Sequence, residues 1–221
     1  MSLRYSTVLD MFWAGEEGGT AIADVLFGDY NPAGRMPYTV YASERSLPPM
    51  TEYDISKGLT YMYLNDKPVF AFGRGLSYTN FEYSNLNITS AHVGSDGTVS
   101  VNVDVKNTGD RAGDEVVQLY VHNNDKGAIQ PREQLQGFER ISLSPGESKT
   151  VAFALPIEQL SYWDTSKHAY VINAGTLNVM VGGASDDARQ KSSFEVTTAG
   201  EWPASTLTTK LADGDYAGTQ K

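Results

Sequence analysis

Apolar and polar residues alternate with a period of two over residues 99–105, where four valines are separated by serine, asparagine and aspartate. This alternation is the pattern of a β-strand with one buried face. It recurs at residues 117–121, 151–155 and 177–181, and turn-forming sequences lie between the stretches. Further strands are predicted around residues 81–91, 135–143, 168–172 and 193–196. The total of about seven or eight strands predicts a mainly β fold, an immunoglobulin-like or fibronectin type III-like β-sandwich.

The first part of the chain has a different pattern, of the α/β kind. Residues 7–13 form an apolar run that predicts a short buried strand, and residues 20–27, after a glycine-rich loop, have helical periodicity. Thr20 is the expected N-cap and Gly28 the expected stop of this helix. Its apolar stripe consists of Ile22, Val25 and Leu26. One strand and one helix leave most of their apolar surface exposed, so this part is predicted to be a partial α/β segment.

These patterns divide the chain into four parts. Residues 1–45 are predicted to be the incomplete end of an α/β sandwich domain, and residues 46–81 an aromatic-rich linker that packs onto its neighbours. Residues 82–197 are predicted to form the β-sandwich, and residues 198–221 a polar tail, extended or disordered. The isolated apolar residues of the tail are Trp202, Leu207, Leu211 and Tyr216. The opening residues lack the pattern of a signal peptide and indicate a fragment boundary.

Composition excludes several classes of partner. The formal net charge is -10 and Lys and Arg form no run, so neither a nucleic acid nor an anionic membrane surface is expected to bind. No apolar run reaches the roughly 20 residues that a membrane-spanning helix needs. The chain has no cysteine, which excludes disulfides, thiolate metal sites and thiol nucleophiles.

The stretch WAGEEGG places the adjacent carboxylates of Glu16 and Glu17 close to the indole of Trp13. Successive side chains of an extended chain point to opposite sides, so the two carboxylates are not expected to converge as an acid and base pair. We expect them instead to accept the free backbone N–H groups at the start of the following helix. The glycines match neither of the common phosphate-binding motifs.

Other residues give no metal-binding pattern. His92, His122 and His168 are dispersed without the spacing of metal ligands, and we expect them at the surface or at strand edges. The acidic turns lack the spacing of a calcium loop. No metal and no cofactor is therefore expected. Trp163 is expected to fill one end of the sandwich core.

Five motifs occur in an order that resembles one enzyme family. They are WAGEEGGTAIADVLFGDYNPAGRMPYTVY, KGLTYMYLNDKPVFAFGRGLSYTNFEYS, NTGDRAGDEVVQLYV, PREQLQGFERISLSPGESKTVAFAL and LSYWD. Over residues 8–196 they resemble the carboxyl-terminal part of the family 3 glycoside hydrolases, which are β-glucosidases and β-xylosidases. The resemblance implies an enzyme with an amino-terminal barrel, an α/β sandwich domain and a final fibronectin type III-like domain. This chain would hold the third domain and the end of the second.

The resemblance also implies where the chemistry lies. In this family the nucleophile is an aspartate of the barrel, and the acid/base is typically a glutamate on a loop that precedes the WAGEEGG-like segment. Neither position is expected in this chain, so we predict no catalytic residue and no activity of the chain alone. Trp13, Glu16 and Glu17 are the candidates for substrate contact, because their motif lies next to the family's active-site cleft.

The parent enzyme implied by the resemblance is an exo-acting, retaining hydrolase of β-linked gluco- or xylo-oligosaccharides. Its partners are expected to be the sugar and the rest of the hydrolase chain, in the periplasm or outside the cell rather than in the cytoplasm. Two alternatives stay open from the residues: an independent carbohydrate-binding β-sandwich, and a protein-interaction or assembly module.

Overall fold

The computed structural model describes residues 7–125 and 129–205. Within these ranges, two α-helices precede a set of eleven strands, which confirms the mainly β fold. The helices are α1 (Gly18–Phe27) and α2 (Thr60–Tyr63). The strands are β1 (Phe81–Ile88), β2 (His92–Val93), β3 (Thr98–Asn107), β4 (Gly113–Asn123), β5 (Gln134–Leu143), β6 (Ser148–Pro156), β7 (Tyr162–Asp164), β8 (Ala169–Ile172), β9 (Gly175–Ala184), β10 (Asp187–Val196) and β11 (Gly200–Pro203).

Two sheets pack face to face as a sandwich. One has three antiparallel strands in the order β1-β3-β6, and the other has five in the order β2-β10-β9-β4-β5, with β2 parallel to β10. The valines of residues 99–105 are fully buried between the sheets, opposite inward-facing residues of β4 and β9. The period-two pattern therefore predicted the core correctly, because only one face of β3 can be covered by the opposing sheet.

Strand β4 is buried on both faces. Its outward-facing Gln118 and Tyr120 are only 3% and 2% exposed. Tyr61 lies over this face: its ring meets Tyr120 edge-on with centroids 5.9 Å apart and stacks on Phe72 at 4.4 Å. The Tyr61 hydroxyl also accepts the backbone N–H of Leu135 at 3.1 Å. The aromatic stretch before the sandwich is thus packed onto the outer face of the five-stranded sheet.

A third, smaller sheet has the order β11-β8-β7. Strand β11 lies in the stretch predicted to be a tail, extended or disordered; residues 200–203 are extended and pair with β8. Trp202 is not isolated: it lies opposite Tyr170 of β8 and packs against the apolar core. A four-residue strand is too short to show a periodic pattern. The other three apolar residues predicted for the tail lie outside the described residues.

The segment before α1 is not a strand. Residues 7–13 have no regular structure, so the strand predicted there is wrong. Helix α1 ends as predicted at Gly28, whose φ of 85° is left-handed and whose N–H donates to the Val25 carbonyl at 3.2 Å. None of the residues of α1 is buried, and Leu26 of the predicted apolar stripe is 65% exposed. No helix in the described ranges is long and apolar enough to cross a membrane.

Candidate functional site

The predicted substrate-contact residues lie together in an exposed loop before α1. Trp13 is 99% exposed, and Glu16 and Glu17 are also exposed. Glu17 occupies the N-cap position, but no side chain caps the helix; its carboxylate instead accepts the Thr20 hydroxyl at 3.1 Å. The expected capping by the carboxylates is therefore wrong, and so is Thr20 as N-cap. Because α1 begins at Gly18, Thr20 lies inside the first turn and its hydroxyl reaches back to Glu17.

A cluster of buried and half-buried polar residues lies elsewhere, where the segment before the sandwich meets the core. Arg35 of this segment pairs with Glu115 of β4, with 3.0 Å between Nη2 and Oε2. The side chains are only 12% and 5% exposed. The other carboxylate oxygen of Glu115 accepts the Tyr83 hydroxyl at 2.9 Å. We call Arg35, Glu115, Tyr83 and Arg189 the latch cluster.

Glu115 belongs to the inner face of β4, the same face as the core residues Val117 and Leu119. Burial raises the pKa of Glu115, and the Arg35 guanidinium opposes this effect. Burial and the neighbouring Glu115 carboxylate also raise the pKa of Tyr83, which keeps its hydroxyl protonated as a donor. Glu115 thus places a charge at the end of the core, and the charge is compensated chiefly by Arg35 from outside the sandwich and to a lesser extent by Arg189 of β10.

Arg189 of β10 completes the latch cluster. Its guanidinium lies 5.1 Å from the centroid of the Tyr83 ring, donates to the Phe81 carbonyl and pairs with Asp187 at 2.8 Å. The Asp187 carboxylate helps to raise the pKa of Arg189 despite its burial. The cluster therefore joins both sheets of the sandwich to the segment that carries Arg35.

A second buried contact fixes the same segment. The side-chain amide of Gln118 donates to the carbonyls of Gly73 at 3.1 Å and Gly183 at 2.6 Å, and its oxygen accepts the Tyr120 hydroxyl at 2.6 Å. Gly73 has a φ of 79°, and a Cβ there would collide with Gln118. Glycine is required at this position both for its backbone conformation and for the close approach.

A cavity of about 400 Å³ adjoins the latch cluster between the segment and the sandwich. Its charged lining consists of Arg35, Arg74, Glu115, Asp186, Asp187 and Arg189. Each of these guanidinium groups is paired with one of the carboxylates. No uncompensated charge is left among these groups to bind an ion, so the arrangement serves contact between the two parts of the chain.

Exposed large apolar side chains are distributed unequally along the described residues. Fifteen of the eighteen lie between Val8 and Tyr78, although the sandwich is the longer part. Leu26, Phe27 and Met50 are 65%, 84% and 98% exposed. Exposed apolar side chains that are concentrated in one part of a chain favour contact between that part and another protein part.

The three histidines belong to different elements of the structure. His92 pairs with Glu195 at 2.9 Å on the surface, and the ring of His122 is 2.8 Å from the Pro131 carbonyl. His168 is exposed in the turn before β8, with a φ of 52°. In the part of the chain that the structure describes, no group of three or more His, Asp or Glu side chains is arranged to hold a metal ion.

Trp163 does not fill an end of the sandwich core. It is 42% exposed on β7 and meets Tyr170 edge-on, with centroids 5.2 Å apart. The prediction failed because Trp163 belongs to the small third sheet rather than to either sheet of the sandwich.

Sequence reasoning missed the latch cluster. Glu115 has the same parity as Val117 and Leu119, which is a local signal that its side chain points inward. Arg35 gives no such signal, since its partner is 80 residues away in the sequence. A buried acid at an inward position was therefore predictable, and its partner was not.

Two family models match the chain. The model of the glycosyl hydrolase family 3 C-terminal domain matches residues 2–78, and that of a fibronectin type III-like domain matches residues 115–185. The chain is 40% identical over 202 residues to a periplasmic beta-glucosidase of Salmonella typhimurium, which covers 86% of this chain and 26% of the relative. It is 37% identical over 199 residues to a putative beta-xylosidase of Formosa agariphila, with 89% and 26% covered.

Solved structures similar to this chain are also beta-glucosidases. Beta-glucosidase 3B from Thermotoga neapolitana, determined in complex with glucose, is similar with a TM-score of 0.77 and 33% identity. The similarity covers 86% of this chain and 28% of that one. A beta-glucosidase from Kluyveromyces marxianus with bound glucose gives a TM-score of 0.74 at 37% identity, over 84% and 24% of the two chains. The chain spans about a quarter of the length of the relatives it matches.

Proposed function

We propose that this chain supports the catalytic part of a β-glycoside hydrolase. The chain corresponds to the carboxyl-terminal part of the family 3 glycoside hydrolases. The sandwich holds residues 7–80 in place, and these residues present their other surfaces to the catalytic part. The chain itself contributes no nucleophile and no acid/base.

The observation that carries this proposal is the two-sided character of residues 7–80. They are fixed to the sandwich by buried polar contacts, the Arg35–Glu115 pair and the Gln118 amide above all. The same residues carry most of the exposed large apolar side chains. Exposure of apolar side chains to water is unfavourable in free energy, and covering them with another protein part removes this unfavourable contribution.

The relatives support our proposal that the whole enzyme hydrolyses β-linked gluco- or xylo-oligosaccharides. Hydrolysis of β-linked gluco- or xylo-oligosaccharides needs two carboxyl groups across the scissile bond. Glu16 and Glu17 are adjacent in one exposed loop, so we assign them, with Trp13, at most to contact with bound sugar.

The periplasmic beta-glucosidase among the relatives supports action in the periplasm or outside the cell. We also propose that the parts of the chain end at residues 45, 81 and 197. The start of β1 at Phe81 supports the second of these boundaries.

Two measurements test the support role. The chain, assayed alone with aryl β-glucosides and β-xylosides, is expected to give no turnover, and turnover above background would refute the absence of catalytic carboxylates. The chain is then added to the portion of the Salmonella relative that lies outside the matched region. We expect activity to appear on mixing. A Leu26→Glu/Phe27→Glu variant should give less, whereas Phe138→Glu, an equally drastic change at an exposed sandwich residue, should not.

A second candidate function, carbohydrate binding, is favoured by one observation. Trp163 lies opposite Tyr170, and Tyr170 lies opposite Trp202, across the three strands of the small sheet. Directly opposite residues of antiparallel strands share a face, so the three rings form a row. The exposed ring of Trp163 can stack on the apolar face of a pyranose.

Isothermal titration with xylan fragments and cello-oligosaccharides separates the two functions. A binding module should give micromolar to millimolar dissociation constants, on the order of -4 to -8 kcal/mol, and Trp163→Ala should abolish them. Phe138→Ala is the matched control, since it removes an exposed ring from another strand. No heat of binding with the unsubstituted chain would rule out this second candidate and leave the support role intact.

A further inference from the structure

The carboxyl end of α1 is held by residues from two distant parts of the chain. The guanidinium of Arg111, in the turn between β3 and β4, donates to the Gly28 carbonyl at 3.0 Å. The Tyr78 hydroxyl donates to the Val25 carbonyl at 2.6 Å. Arg111 also lies over the Tyr78 ring, 5.7 Å from its centroid. The free carbonyls at the end of the helix are thus capped from outside the helix.

The chemistry of this contact suits a helix end. The last turn of α1 has no basic residue of its own, and the partial negative charge of its carbonyls is matched by the Arg111 cation. A Cβ at Gly28 would be 3.2 Å from Arg111 Nη1, so glycine also permits the close approach. The turn that carries Arg111 is itself rigid, because the buried Asn107 amide donates to the Arg111 carbonyl at 2.7 Å.

The residues that follow the helix are tied to the same place. The side chain of Asn31 accepts the Tyr78 backbone N–H at 2.8 Å and donates to the Ala112 carbonyl at 2.9 Å. Among the described residues, the amino end of α1 is held less firmly: it lacks a side-chain cap, Trp13 beside it is almost wholly exposed, and Phe12 meets the Tyr38 ring edge-on at 6.1 Å. The helix is therefore anchored at its carboxyl end.

We propose that Arg111 is a positioning residue of the hydrolase. By holding the carboxyl end of α1, it fixes the direction of the helix and so the place of residues 13–17 at the other end, about 15 Å away for ten residues. Backbone contacts transmit the position, since Gly18 donates to the Gly15 carbonyl at 3.0 Å and Ala21 to the Glu17 carbonyl at 3.0 Å. This inference rests on the proposed support of a catalytic part, which residues 13–17 would face.

Distance measurement between spin labels tests the proposal on the chain as it exists. The sequence has no cysteine, so Glu16→Cys and Ser193→Cys place single labels on the loop and on the exposed sandwich surface. We expect one narrow distance distribution, which Arg111→Ala broadens and Arg111→Lys partly restores. Arg132→Ala is the matched control, because Arg132 also donates from its guanidinium to a backbone carbonyl, that of Leu64 at 3.0 Å.

Hydrogen exchange gives a second readout. Amides of residues 22–27 should exchange about ten times faster in Arg111→Ala, as loss of a charge-assisted hydrogen bond at the helix end implies, while those of residues 99–105 should not change. An unchanged distance distribution in Arg111→Ala, or equal broadening by Arg132→Ala, would overturn the proposal. Neither measurement depends on activity. The positioning role of Arg111 can therefore be refuted while the support function stands, and the support function can be refuted while the positioning role stands.

Discussion

Loss of the Arg35–Glu115 pair should destabilise the chain strongly, and the structure sets the magnitude. The Nη2–Oε2 distance is 3.0 Å and both side chains are buried. At an effective dielectric constant of about 20, two unit charges at this distance attract by roughly 5 kcal/mol, part of which is offset by desolvation. Arg35→Met leaves the Glu115 charge buried without its partner, so we expect a loss of about 3 to 5 kcal/mol in unfolding free energy.

A double-mutant cycle isolates the pair. The free energies of unfolding of Arg35→Met, Glu115→Gln and the double variant are measured by urea denaturation, followed by circular dichroism and fluorescence with a check that the m value is constant. We expect a coupling energy of about 2 to 3 kcal/mol, because the double variant removes the buried charge that each single variant strands.

The Arg74–Asp186 pair is the control for this cycle. It also joins an arginine of the first segment to an acid of the sandwich, at 3.2 Å, but its side chains are 48% and 33% exposed. Solvent screening should hold its coupling to at most about 1 kcal/mol. A coupling below about 0.5 kcal/mol for Arg35 and Glu115 would refute the latch cluster as the main attachment of the segment.

Three further predictions concern single residues. Asn107→Ala should cost about 3 kcal/mol in denaturation experiments, because the buried amide donates to two backbone carbonyls and accepts the Thr79 hydroxyl. Gly146→Ala should cost about 1 kcal/mol for its positive φ alone, and Gly73→Ala at least about 2 kcal/mol more, because only at Gly73 would the added methyl group collide with a neighbour. Burial raises the pKa of Glu133 to about 7, above its value in the unfolded chain, so stability should fall as the pH rises from about 4.5 through 7. Melting curves of Glu133→Gln should lose this dependence; an unchanged pH profile would contradict the raised pKa.

The sandwich could be predicted from sequence because its cause is local. Alternation places the valines of residues 99–105 on one face, and one face of a strand in a sandwich is all that the opposing sheet covers. Gly28 ends α1 for an equally local reason, its left-handed φ. The predicted strand at residues 7–13 failed because an apolar run becomes a strand only beside a partner strand, and the described residues supply none.

The attachment of the first segment could not be predicted in the same way. Tyr120 reads as an outward-facing residue of β4, yet it is buried because Tyr61, 59 positions earlier, covers it. Arg35 meets Glu115 across 80 positions, and Arg111 meets Gly28 across 83. Such contacts follow from the arrangement of whole elements, which neither periodicity nor residue spacing expresses.

The type of contact in each region indicates what the sandwich does for its neighbour. Apolar packing alone would tolerate sliding of one part over the other, whereas hydrogen bonds and ion pairs depend on direction and fix a register. Residues 7–80 are attached through guanidinium and amide groups that bind single backbone carbonyls and one carboxylate, at Gly28, Gly73 and Glu115. Tyr61 also packs against Tyr120 of the sandwich. Fifteen large apolar side chains of residues 7–80 are instead left exposed, where area rather than direction provides the binding energy. A segment that must be held at a defined place while it binds a larger neighbour needs polar contacts on one side and apolar ones on the other. It follows that polar substitutions in residues 7–80 should change the position of this segment on the sandwich, whereas apolar substitutions should change its affinity for the catalytic part.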